Sequence, residues 1–286
     1  MNYIETPFNY TGSKFKLLEQ LLPEFDYTKP YFIDVFAGGG SIYTNIIDKY
    51  DKVIVNDVIE DLIGIHKELI LGDEIIELTK SLCPGKNNPD GYADLRNSYN
   101  EEKSPEKLWA LMLSCTNNMM RFNLKFKFNQ TYGERGWSDN TQKKVDAFTN
   151  HIRPYKNNIR FSSKSFDMID ISSEKIMFYC DPPYGRIKND DGTIGKKQIS
   201  DAGYNCYWKL EDDVKLYEYL RMIDKIGSSF MVSGVLSHDG KTCWMLDKLI
   251  QDGYRYKVLE YDYNKVSRKG DKETTEIIIM NYVEKN

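Results

Sequence analysis

A short apolar stretch that ends in two prolines constrains the fold of this chain more than any other part of its sequence. Residues 174–180 read EKIMFYC, and the tetrapeptide Asp-Pro-Pro-Tyr follows at 181–184. Because residues 176–180 are apolar or aromatic, they predict a strand that is buried in a sheet. Proline has no N–H group and a fixed φ, so the chain must leave that sheet in a stiff turn. The turn would hold a carboxylate, two backbone carbonyls and an aromatic ring at the carboxyl end of the strand.

Strands and helices are predicted to alternate through most of the chain. Residues 31–45 read YFIDVFAGGGSIYTN, an apolar strand that runs into three glycines and then a helix, and residues 53–57 (VIVND) predict the next strand. Alternation of this kind predicts a parallel sheet with helices on both faces. The closing segments YRYKVLEYDY and TTEIIIMNY predict a strand pair at an antiparallel edge. We therefore predict an α/β fold whose sheet is mostly parallel, with an antiparallel edge hairpin.

Three further segments have predicted local structures. FKLLEQLL at 15–22 predicts a helix with Ser13 as its N-cap. Residues 58–120 predict mostly helix, including one helix that is capped by Ser104. Residues 185–206 are rich in glycine and charge, which predicts a long loop of the kind that forms lids or binding sites.

Charge and composition narrow the class of protein. The formal net charge is −4 at pH 7, so the whole molecule is not a polycation. Residues 121–144 nevertheless hold six Lys or Arg against two acidic residues, and a locally basic groove can bind nucleic acid on an acidic molecule. The sequence has no charged-then-apolar leader and no long apolar run, which predicts a soluble protein that is not exported.

The use of cysteine and histidine argues against disulfides and against a metal site. The five cysteines are scattered, odd in number and without a CxxC pair, which predicts reduced thiols in a cytoplasm. The three histidines stand far apart, with no cysteine or carboxylate at ligand spacing. We therefore predict that the protein binds no metal.

Two turns in the first 60 residues carry candidate ligand-binding residues. The glycines at 38–40 would let a ligand approach the backbone closely, although they lack the G-x-G-x-x-G pattern of dinucleotide-binding proteins. Asp34 precedes these glycines and could take the ammonium group of a ligand. Asp57 ends the second strand, where an acidic residue commonly binds a pair of ribose hydroxyls, or it instead caps the following helix. Lys14 adds a positive charge to the loop TPFNYTGSK at 6–14.

The Asp-Pro-Pro-Tyr corner suits chemistry on an exocyclic amine of a nucleobase. The lone pair of such an amine is delocalised into the ring, so the amine is a poor nucleophile. Asp181 and the carbonyl of Pro182 could accept its two hydrogens and localise the lone pair, while Tyr184 stacks on the base. The alternative is a loop stiffened by proline, in which the aspartate only caps a turn.

Residues 116–137 differ in character from the segments around them. They read TNNMMRFNLKFKFNQTYGERGW, in which Arg and Lys alternate with Phe, Tyr and Asn. Asn and Arg side chains are the bidentate readers of adenine and guanine edges, and aromatic side chains can wedge where a base leaves the stack. The alternative is an irregular surface subdomain with a short hairpin.

Taken in order, these motifs resemble those of the Dam-type family of DNA adenine-N6 methyltransferases, which use S-adenosyl-L-methionine (AdoMet). The resemblance runs from about residue 7 to residue 283, and it rests on YTGSK, DVFAGGGS, VND, RFN, FNQTYG, SFD, DPPY and TEIIIMNY. It implies a Rossmann-like AdoMet-dependent methyltransferase sheet formed by residues 1–57 and 158–286. It also implies that residues 58–157 form an inserted, mainly helical target-recognition domain that binds DNA.

The resemblance assigns roles to single residues. The AdoMet-binding residues would be Tyr10, Lys14, Asp34, Phe36, Gly38, Gly40, Asp57, Phe166 and Asp181. The catalytic residues would be Asp181, Pro182 and Tyr184. The DNA-binding residues would be Asn118, Arg121, Asn123, Asn129 and Tyr132. Arg121 matches a guanine reader in relatives that recognise GATC, but Phe122 and Thr131 replace the usual Tyr and Pro, so GATC itself is not predicted.

The function implied is transfer of the AdoMet methyl group to a flipped adenine in double-stranded DNA. Adenine is the predicted target because aspartate, rather than serine, leads the two prolines. Two alternatives stay open: a methyltransferase that acts on another planar amine (cytosine-N4, an RNA adenine or a protein glutamine), and a non-catalytic DNA-binding module that retains AdoMet. The predicted setting is the cytoplasm of a bacterium, with the gene of cellular or phage origin. We expect a monomer or weak dimer with no membrane partner, and a companion restriction endonuclease is a further candidate partner.

Overall fold

The computed structural model describes residues 3–8, 10–183, 185–199, 208–260 and 273–282. The strands in these ranges are β1 (Tyr31–Asp34), β2 (Lys52–Asn56), β3 (Ile159–Ser162), β4 (Ile176–Cys180), β5 (Arg186–Lys188), β6 (Ile194–Gln198), β7 (Ser229–His238), β8 (Lys241–Thr242), β9 (Arg255–Leu259) and β10 (Thr274–Met280). The α-helices are α1 (Leu18–Leu21), α2 (Ser41–Ile46), α3 (Glu60–Leu71), α4 (Glu74–Leu82), α5 (Pro89–Glu101), α6 (Pro105–Ser114), α7 (Asp139–Ile152), α8 (Leu210–Ile226) and α9 (Trp244–Gln251). Across the described residues, no helix combines the length and the apolar character needed to cross a membrane.

The chain divides into two compact units. Unit 1 takes in the described residues of Met1–Leu18 and Ala37–Ser165, and unit 2 takes in those of Glu19–Phe36 and Phe166–Asn286. Unit 1 therefore contains β2, β3 and helices α2 to α7, and unit 2 contains the other strands with α8 and α9. The predicted division into a catalytic domain and an insert at 58–157 stays a prediction.

Unit 2 is built on a mixed sheet. Strand β4 lies parallel to both β1 and β7, and β7 pairs antiparallel with β10, which in turn pairs antiparallel with β9. Every residue of β4 is buried, and Ile277–Met280 of β10 are 0% exposed, so both strands run through the core. The predicted α/β fold, with a mostly parallel sheet and antiparallel strands at its edge, is confirmed.

Unit 1 pairs two parallel strands with a group of helices. Strand β2 pairs with β3 from Val53 and Ile159 onward, and α6 packs against α3, α4 and α5. Trp109 of α6 is 0% exposed, which fits the apolar pattern of that segment. Ser104 occupies the predicted N-cap position, but its hydroxyl donates to the Glu106 carboxylate at 2.5 Å and makes no cap hydrogen bond to the backbone.

The helix predicted at 15–22 is broken. Residues Phe15–Leu17 form a 3-10 turn, α1 has only four residues, and a second 3-10 turn at Leu22–Glu24 contains a proline. Proline cannot donate the next helical hydrogen bond, so the helix stops before it can lengthen. The predicted cap, Ser13, accepts from the Phe15 N–H at 3.3 Å and shares a 2.7 Å hydrogen bond with the Ser41 hydroxyl.

The loop predicted at 185–206 is partly ordered as strands. Strands β5 and β6 pair antiparallel within it, with Arg186 opposite Gln198 and Lys188 opposite Ile194. Asn189, Asp190, Asp191 and Gly192 form the turn, and the Gly192 N–H donates to the Asn189 carbonyl at 2.9 Å. Part of the segment that its composition predicted to be a loop therefore forms a β-hairpin. Residues 200–206 lie outside the described residues.

Candidate active site

The glycine turn of unit 1 has a backbone conformation and close neighbours that leave no room for side chains at its glycines. Gly38 and Gly40 have φ values of +49° and +78°, in the left-handed region that favours glycine. A Cβ atom on Gly38 would lie 2.7 Å from Cε1 of Tyr10, and one on Gly39 would lie 2.6 Å from Cβ of Tyr10. The Tyr10 side chain thus lies directly against the turn. Three predicted AdoMet-binding residues, Tyr10, Gly38 and Gly40, come together here.

The carboxylate of Asp57 ties this turn to the start of α3. One oxygen accepts the N–H of Gly38 at 3.0 Å, and the other accepts the N–H of Ile59 at 3.0 Å. Asp57 is 8% exposed, and burial raises the pKa of its carboxyl while the two backbone hydrogen bonds lower it. Both roles considered for Asp57 remain compatible, because each carboxylate oxygen has a second lone pair that can accept a ligand hydroxyl.

Lys14 lies beside the same turn along the chain. Its ammonium group donates to the Gly12 carbonyl at 3.2 Å, and the neighbouring Ser13 is bonded to Ser41, the first residue after the glycines. The side chain of Lys14 is half-buried. The YTGSK loop is therefore attached to the glycine turn through Ser13. The AdoMet-binding role of Lys14 stays a prediction.

A buried histidine, which sequence reasoning did not find, supports the turn from behind. Nε2 of His66 lies 2.9 Å from the Gly38 carbonyl oxygen, and Nδ1 lies 2.8 Å from the Tyr43 hydroxyl. A carbonyl oxygen can only accept, so Nε2 carries the hydrogen and Nδ1 accepts from Tyr43. His66 is 0% exposed, and burial lowers its pKa from 6.5 to about 4, so the imidazole is neutral. In the sequence His66 is an ordinary position of a helix, and only the fold reveals its contact.

We expect the stability of the protein to fall as the pH drops from about 6.5 to about 4, in part through His66. The unfolded chain takes up a proton on His66 in this range and the folded chain does not, so protons favour unfolding. The full effect of this one group is on the order of 3 kcal/mol. Urea unfolding at several pH values would measure it. His66→Gln should lose this part of the pH dependence, whereas Asp57 titrates in both proteins and cancels in the comparison. Parallel pH profiles for the two proteins would contradict the assignment.

In unit 2, Asp181, the predicted catalytic aspartate, is bonded to a chain of hydroxyl groups. The Ser233 hydroxyl donates to Oδ1 of Asp181 at 2.8 Å, and it lies 2.8 Å from the Tyr179 hydroxyl. Because serine has one hydroxyl hydrogen and gives it to the carboxylate, Tyr179 must donate to Ser233. Tyr179 is buried in β4, and burial, together with the charge of Asp181, raises the pKa of its hydroxyl, which keeps the hydroxyl protonated as a donor. Sequence reasoning missed Ser233, which lies in the neighbouring strand β7.

Other predicted residues surround this corner. Pro182 follows Asp181 and is half-buried, and Tyr184 lies outside the described residues. Asp34 ends β1 opposite Tyr179 in the parallel pairing and is 1% exposed. Its charge adds to burial in raising the pKa of the Cys180 thiol. The carboxylates of Asp34 and Asp181 thus stand at the carboxyl ends of two neighbouring parallel strands, where α/β sheets bind ligands.

Three aromatic rings of unit 2 pack into one cluster, which we call the aromatic cluster: Phe36, Phe166 and Trp208. The ring centroids of Phe36 and Phe166 are 5.6 Å apart, and Trp208 lies 5.8 Å from the first and 5.6 Å from the second. Phe36 and Phe166 were predicted to border AdoMet, and the fold brings them together. Trp208 was not predicted, since it follows a loop that gave no pattern.

A buried carboxylate joins the aromatic cluster to the chain that leaves the Asp-Pro-Pro-Tyr corner. Asp213 accepts from the indole N–H of Trp208 at 3.0 Å and from the backbone N–H of Arg186 at 3.1 Å. A Cβ atom on Gly185 would lie 2.8 Å from Sγ of Cys243 and 2.9 Å from Oδ1 of Asp213, so any larger residue there would have to displace these two side chains. Burial raises the pKa of the Asp213 carboxyl to about 6, against the effect of these hydrogen bonds.

Residues 116–133 of unit 1, which carry the predicted DNA-binding residues, form an irregular hairpin. Arg121 is exposed, and its guanidinium makes no hydrogen bond or ion pair within the described part of the chain. Asn118 is half-buried, with φ at +51°. Oδ1 of Asn129 is buried and has no partner among the described residues. Arg121 and Asn129 therefore keep polar atoms for a ligand.

Two of the predicted DNA-binding side chains serve the hairpin itself. Oδ1 of Asn123 accepts the backbone N–H groups of Lys125 at 2.9 Å and Lys127 at 3.2 Å. The Tyr132 hydroxyl donates to the Gly85 carbonyl. The Asn123 contacts lie within the hairpin, whereas the Tyr132 contact ties the hairpin to the loop before α5. Contact of Asn123 and Tyr132 with DNA stays a prediction. The described residues include no group of three or more His, Cys, Asp or Glu arranged to hold a metal ion.

Comparison with known proteins places the chain in a family. The family model of D12 class N6 adenine-specific DNA methyltransferases matches residues 10–265. The chain belongs to this D12 class. The resemblance to Dam-type methyltransferases that the motifs carry is thereby confirmed.

Several curated proteins are similar to this D12-class chain. Type II methyltransferase M.FokI of Planomicrobium okeanokoites is 28% identical over 98% of the chain and 43% of its own length. Modification methylase StsI of Streptococcus sanguinis is 29% identical over 98% of the chain and 43% of its own length. The DNA N-6-adenine-methyltransferase of Escherichia phage P1 is 29% identical over 79% of the chain and 29% of its own length. The chain thus spans less than half the length of these relatives.

A solved structure also aligns with the D12-class chain. The rRNA methyltransferase AviRa from Streptomyces viridochromogenes covers 88% of this chain and 76% of its own, at 11% identity and a TM-score of 0.30. At that score the alignment bears neither on the fold nor on the substrate.

Proposed function

We propose that the chain is a site-specific DNA methyltransferase, which transfers the methyl group of AdoMet to the N6 amine of an adenine flipped out of duplex DNA. The observation that carries the proposal is Asp181, which Ser233 orients at the carboxyl end of the buried strand β4. Membership of the D12 class, over residues 10–265, supports the same activity.

The residues present fit AdoMet. In unit 1, the left-handed glycine turn beside Tyr10 offers backbone that a ligand can approach, and Asp57 can accept the hydrogens of ribose hydroxyls. In unit 2, we assign Phe166 to the adenine ring, Phe36 to the methionine and sugar, and Asp34 to the ammonium group. When bound, AdoMet supplies a methyl group on a positively charged sulfur, which leaves as a neutral thioether.

The corner of unit 2 would activate the amine by accepting its hydrogens. Asp181 would accept one N6 hydrogen and the Pro182 carbonyl the other, so that the lone pair turns out of the ring. Tyr184 would stack on the flipped base. Asp181 need not be a strong base, because the amine becomes acidic only as its bond to the methyl carbon forms. Most of the acceleration would come from orientation and from preset dipoles.

Arg121→Ala should relax the sequence choice of the enzyme. An arginine that reads a guanine edge contributes about 1–3 kcal/mol of discrimination, so substitution should let roughly tenfold to hundredfold more methylation fall on sites with another base there. Sequencing of modified adenines in a methylated plasmid would measure this. Lys143→Ala removes an exposed charge of α7 and is the matched control. Unchanged selectivity in Arg121→Ala would refute the assignment.

The proposed activity is tested with the purified chain, tritiated AdoMet and a plasmid that lacks adenine methylation. We expect label in the DNA, and mass spectrometry of the hydrolysed nucleosides should identify N6-methyladenine. Appearance of N4-methylcytosine, or transfer to RNA or protein instead, would favour the second reading, a methyltransferase on another planar amine. AdoMet binding without transfer in a single turnover would favour a non-catalytic module.

The setting that we propose is restriction-modification in a bacterial cytoplasm, with the gene of cellular or phage origin. Relatives are named Type II methyltransferase and modification methylase, and one is from a phage. A companion endonuclease that cleaves the same unmethylated site would be the partner. We propose a monomer or a weak dimer that acts without a metal ion, and sedimentation of the purified chain would test the oligomeric state.

A further inference from the structure

The carboxylate of Asp213 lies in the interior of unit 2 and binds groups from two other parts of the chain. Asp213 belongs to the first turn of α8 and is 0% exposed. Oδ2 accepts the indole N–H of Trp208 at 3.0 Å, and Oδ1 accepts the backbone N–H of Arg186 at 3.1 Å. Both bonds stabilise the charged form of a carboxyl group that burial alone would destabilise.

The side chain of Arg186 binds Trp208 at a second point. Nη2 of Arg186 donates to the Trp208 carbonyl at 2.9 Å, and Nη1 donates to the Lys196 carbonyl in β6 at 2.6 Å. Nε of Arg186 lies 3.9 Å from Oδ2 of Asp213, so the two side chains form an ion pair. The pair binds Trp208 at its indole N–H and at its backbone carbonyl. Two such contacts on one residue restrict its ring to a single orientation.

The ring of Trp208 completes the aromatic cluster. Its centroid lies 5.6 Å from that of Phe166, with 35° between the ring planes, and 5.8 Å from that of Phe36. Phe166 also packs edge-on against Tyr219 of α8, at 5.8 Å. Because Phe166 is assigned to the adenine ring of AdoMet, any shift of Trp208 would change the wall against which the adenine packs.

The same carboxylate also fixes the segment that leaves the Asp-Pro-Pro-Tyr corner. Arg186 begins β5, and the next residue, Ile187, forms an antiparallel bridge with Cys243, which precedes α9. The Gly185 carbonyl accepts the N–H of Ile199 at 2.9 Å. Asp213 thus contacts both the aromatic cluster and the chain just after the predicted catalytic residues.

We infer that Asp213 is a positioning residue of the AdoMet site, whose charged carboxylate holds the Trp208 ring against Phe166 and thereby sets the affinity for AdoMet. The inference rests on the proposed function, since it takes Phe166 as a wall of the adenine site. Both partners of the carboxylate are N–H donors. A protonated carboxyl group, or an amide in its place, carries hydrogens of its own and sets a donor against one of them.

The groups that face Asp213 place its titration in an accessible pH range. Burial raises its pKa to about 6, while the hydrogen bonds from Arg186 and Trp208 and the charge of Arg186 lower it. The charge of Asp212 on the same helix also raises the pKa of Asp213. Cys243, at the start of α9, has a neutral thiol, because burial raises its pKa to about 12. Protonation of Asp213 should therefore loosen Trp208 as the pH falls through about 6.

The test measures AdoMet binding by equilibrium dialysis at pH 7.5 and at pH 5. At pH 7.5 we expect Asp213→Asn to bind AdoMet about tenfold more weakly than the parent. At pH 5 the difference should shrink to about twofold, because roughly nine tenths of the parent's Asp213 is then protonated. Glu211→Gln removes an exposed charge from the same turn of α8 and should match the parent at both pH values. Other carboxyl groups titrate in all three proteins and cancel.

Trp208→Phe separates the route through the indole from a general loss of stability. It keeps a ring but removes the N–H, so adding Asp213→Asn to it should weaken AdoMet binding no more than about twofold, since the amide oxygen can then face Arg186. The parent should also lose more affinity than Trp208→Phe between pH 7.5 and pH 5. This comparison tests the inference even if Asp213→Asn does not fold, which melting temperatures would show.

Three results would overturn the inference. They are equal affinity of the parent and Asp213→Asn at pH 7.5, a tenfold difference that persists at pH 5, and equal losses of affinity for the parent and Trp208→Phe between the two pH values. A parent that binds no AdoMet at all would instead reject the proposed function.

Discussion

Asp181→Ala should abolish methyl transfer to duplex adenine, with turnover reduced by at least about 10³-fold. The substitution removes the carboxylate that would accept a hydrogen of the target amine. The buried part of β4 ends one residue earlier, at Cys180, so the core should keep its packing. Single-turnover transfer from tritiated AdoMet would measure the loss, and AdoMet binding together with the melting temperature would show whether the variant is otherwise intact.

Two further variants sharpen this test. Ser233→Ala removes the hydroxyl that orients Oδ1 of Asp181, and a loss of about tenfold is expected because the carboxylate remains but is less well positioned. Asp190→Ala removes an exposed carboxylate of the same unit and should have no effect. Turnover by Asp181→Ala equal to that of the parent would refute the catalytic assignment.

Gly40→Ala should impair both folding and AdoMet binding. The new Cβ would lie 2.5 Å from Cε1 of Tyr43 and 2.8 Å from Cε1 of His66, two rings that are 0% exposed and cannot move aside. Overpacking of this kind, added to the left-handed φ, should cost about 2–4 kcal/mol. If the glycine turn holds AdoMet, its affinity should fall at least about tenfold, since a 1.4 kcal/mol change is a factor of ten.

Gly85→Ala is the matched control for Gly40→Ala. Gly85 has φ at +74°, close to the +78° of Gly40, but a Cβ there would meet nothing within 4 Å. The control thus carries the conformational cost alone, about 1–2 kcal/mol. Urea unfolding and equilibrium AdoMet binding would compare the two. If both variants lose the same stability and the same affinity, packing of the His66 and Tyr43 rings does not shape the turn.

Local sequence patterns were sufficient to predict the elements that carry the site. The apolar run at 176–180 predicts strand β4, and the two prolines that follow predict the corner after it. Both predictions depend on properties of the residues themselves, namely apolar side chains and the missing N–H group of proline. The glycines at 38–40 predict a turn for the same reason, since the backbone conformation needs them. These features depend on neighbours in the chain and need no knowledge of the fold.

The supporting residues could not be predicted in this way. Ser233, His66 and Asp213 act on residues 52, 28 and 27 positions away, namely Asp181, Gly38 and Arg186. Serine in a strand, histidine in a helix and aspartate in the first turn of a helix are each ordinary on their own. Only strand pairing and helix packing give them their contacts.

Local sequence patterns also gave wrong or incomplete predictions of secondary structure in two segments whose residues favour different structures. The spacing of FKLLEQLL favours a helix, but the proline that follows at residue 23 breaks it after a single turn. Residues 186–198 contain the turn-forming and charged residues of a loop, yet β5 and β6 pair across them. In both cases a single feature, a proline or a tight turn, outweighed the average composition.

The way in which the hairpin at residues 116–133 is held has a consequence for how its proposed DNA specificity could change. Asn100 and the two buried phenylalanines, Phe122 and Phe128, hold the base of the hairpin. At residues 123–127 the Asn123 side chain accepts the backbone N–H groups of Lys125 and Lys127. Substitutions at the exposed positions Leu124, Lys125 and Lys127 can therefore alter what the hairpin contacts at little cost to its folding. Under the proposed function, descendants of such a gene could come to methylate new target sites through a few surface changes, while the residues proposed for catalysis are inherited intact.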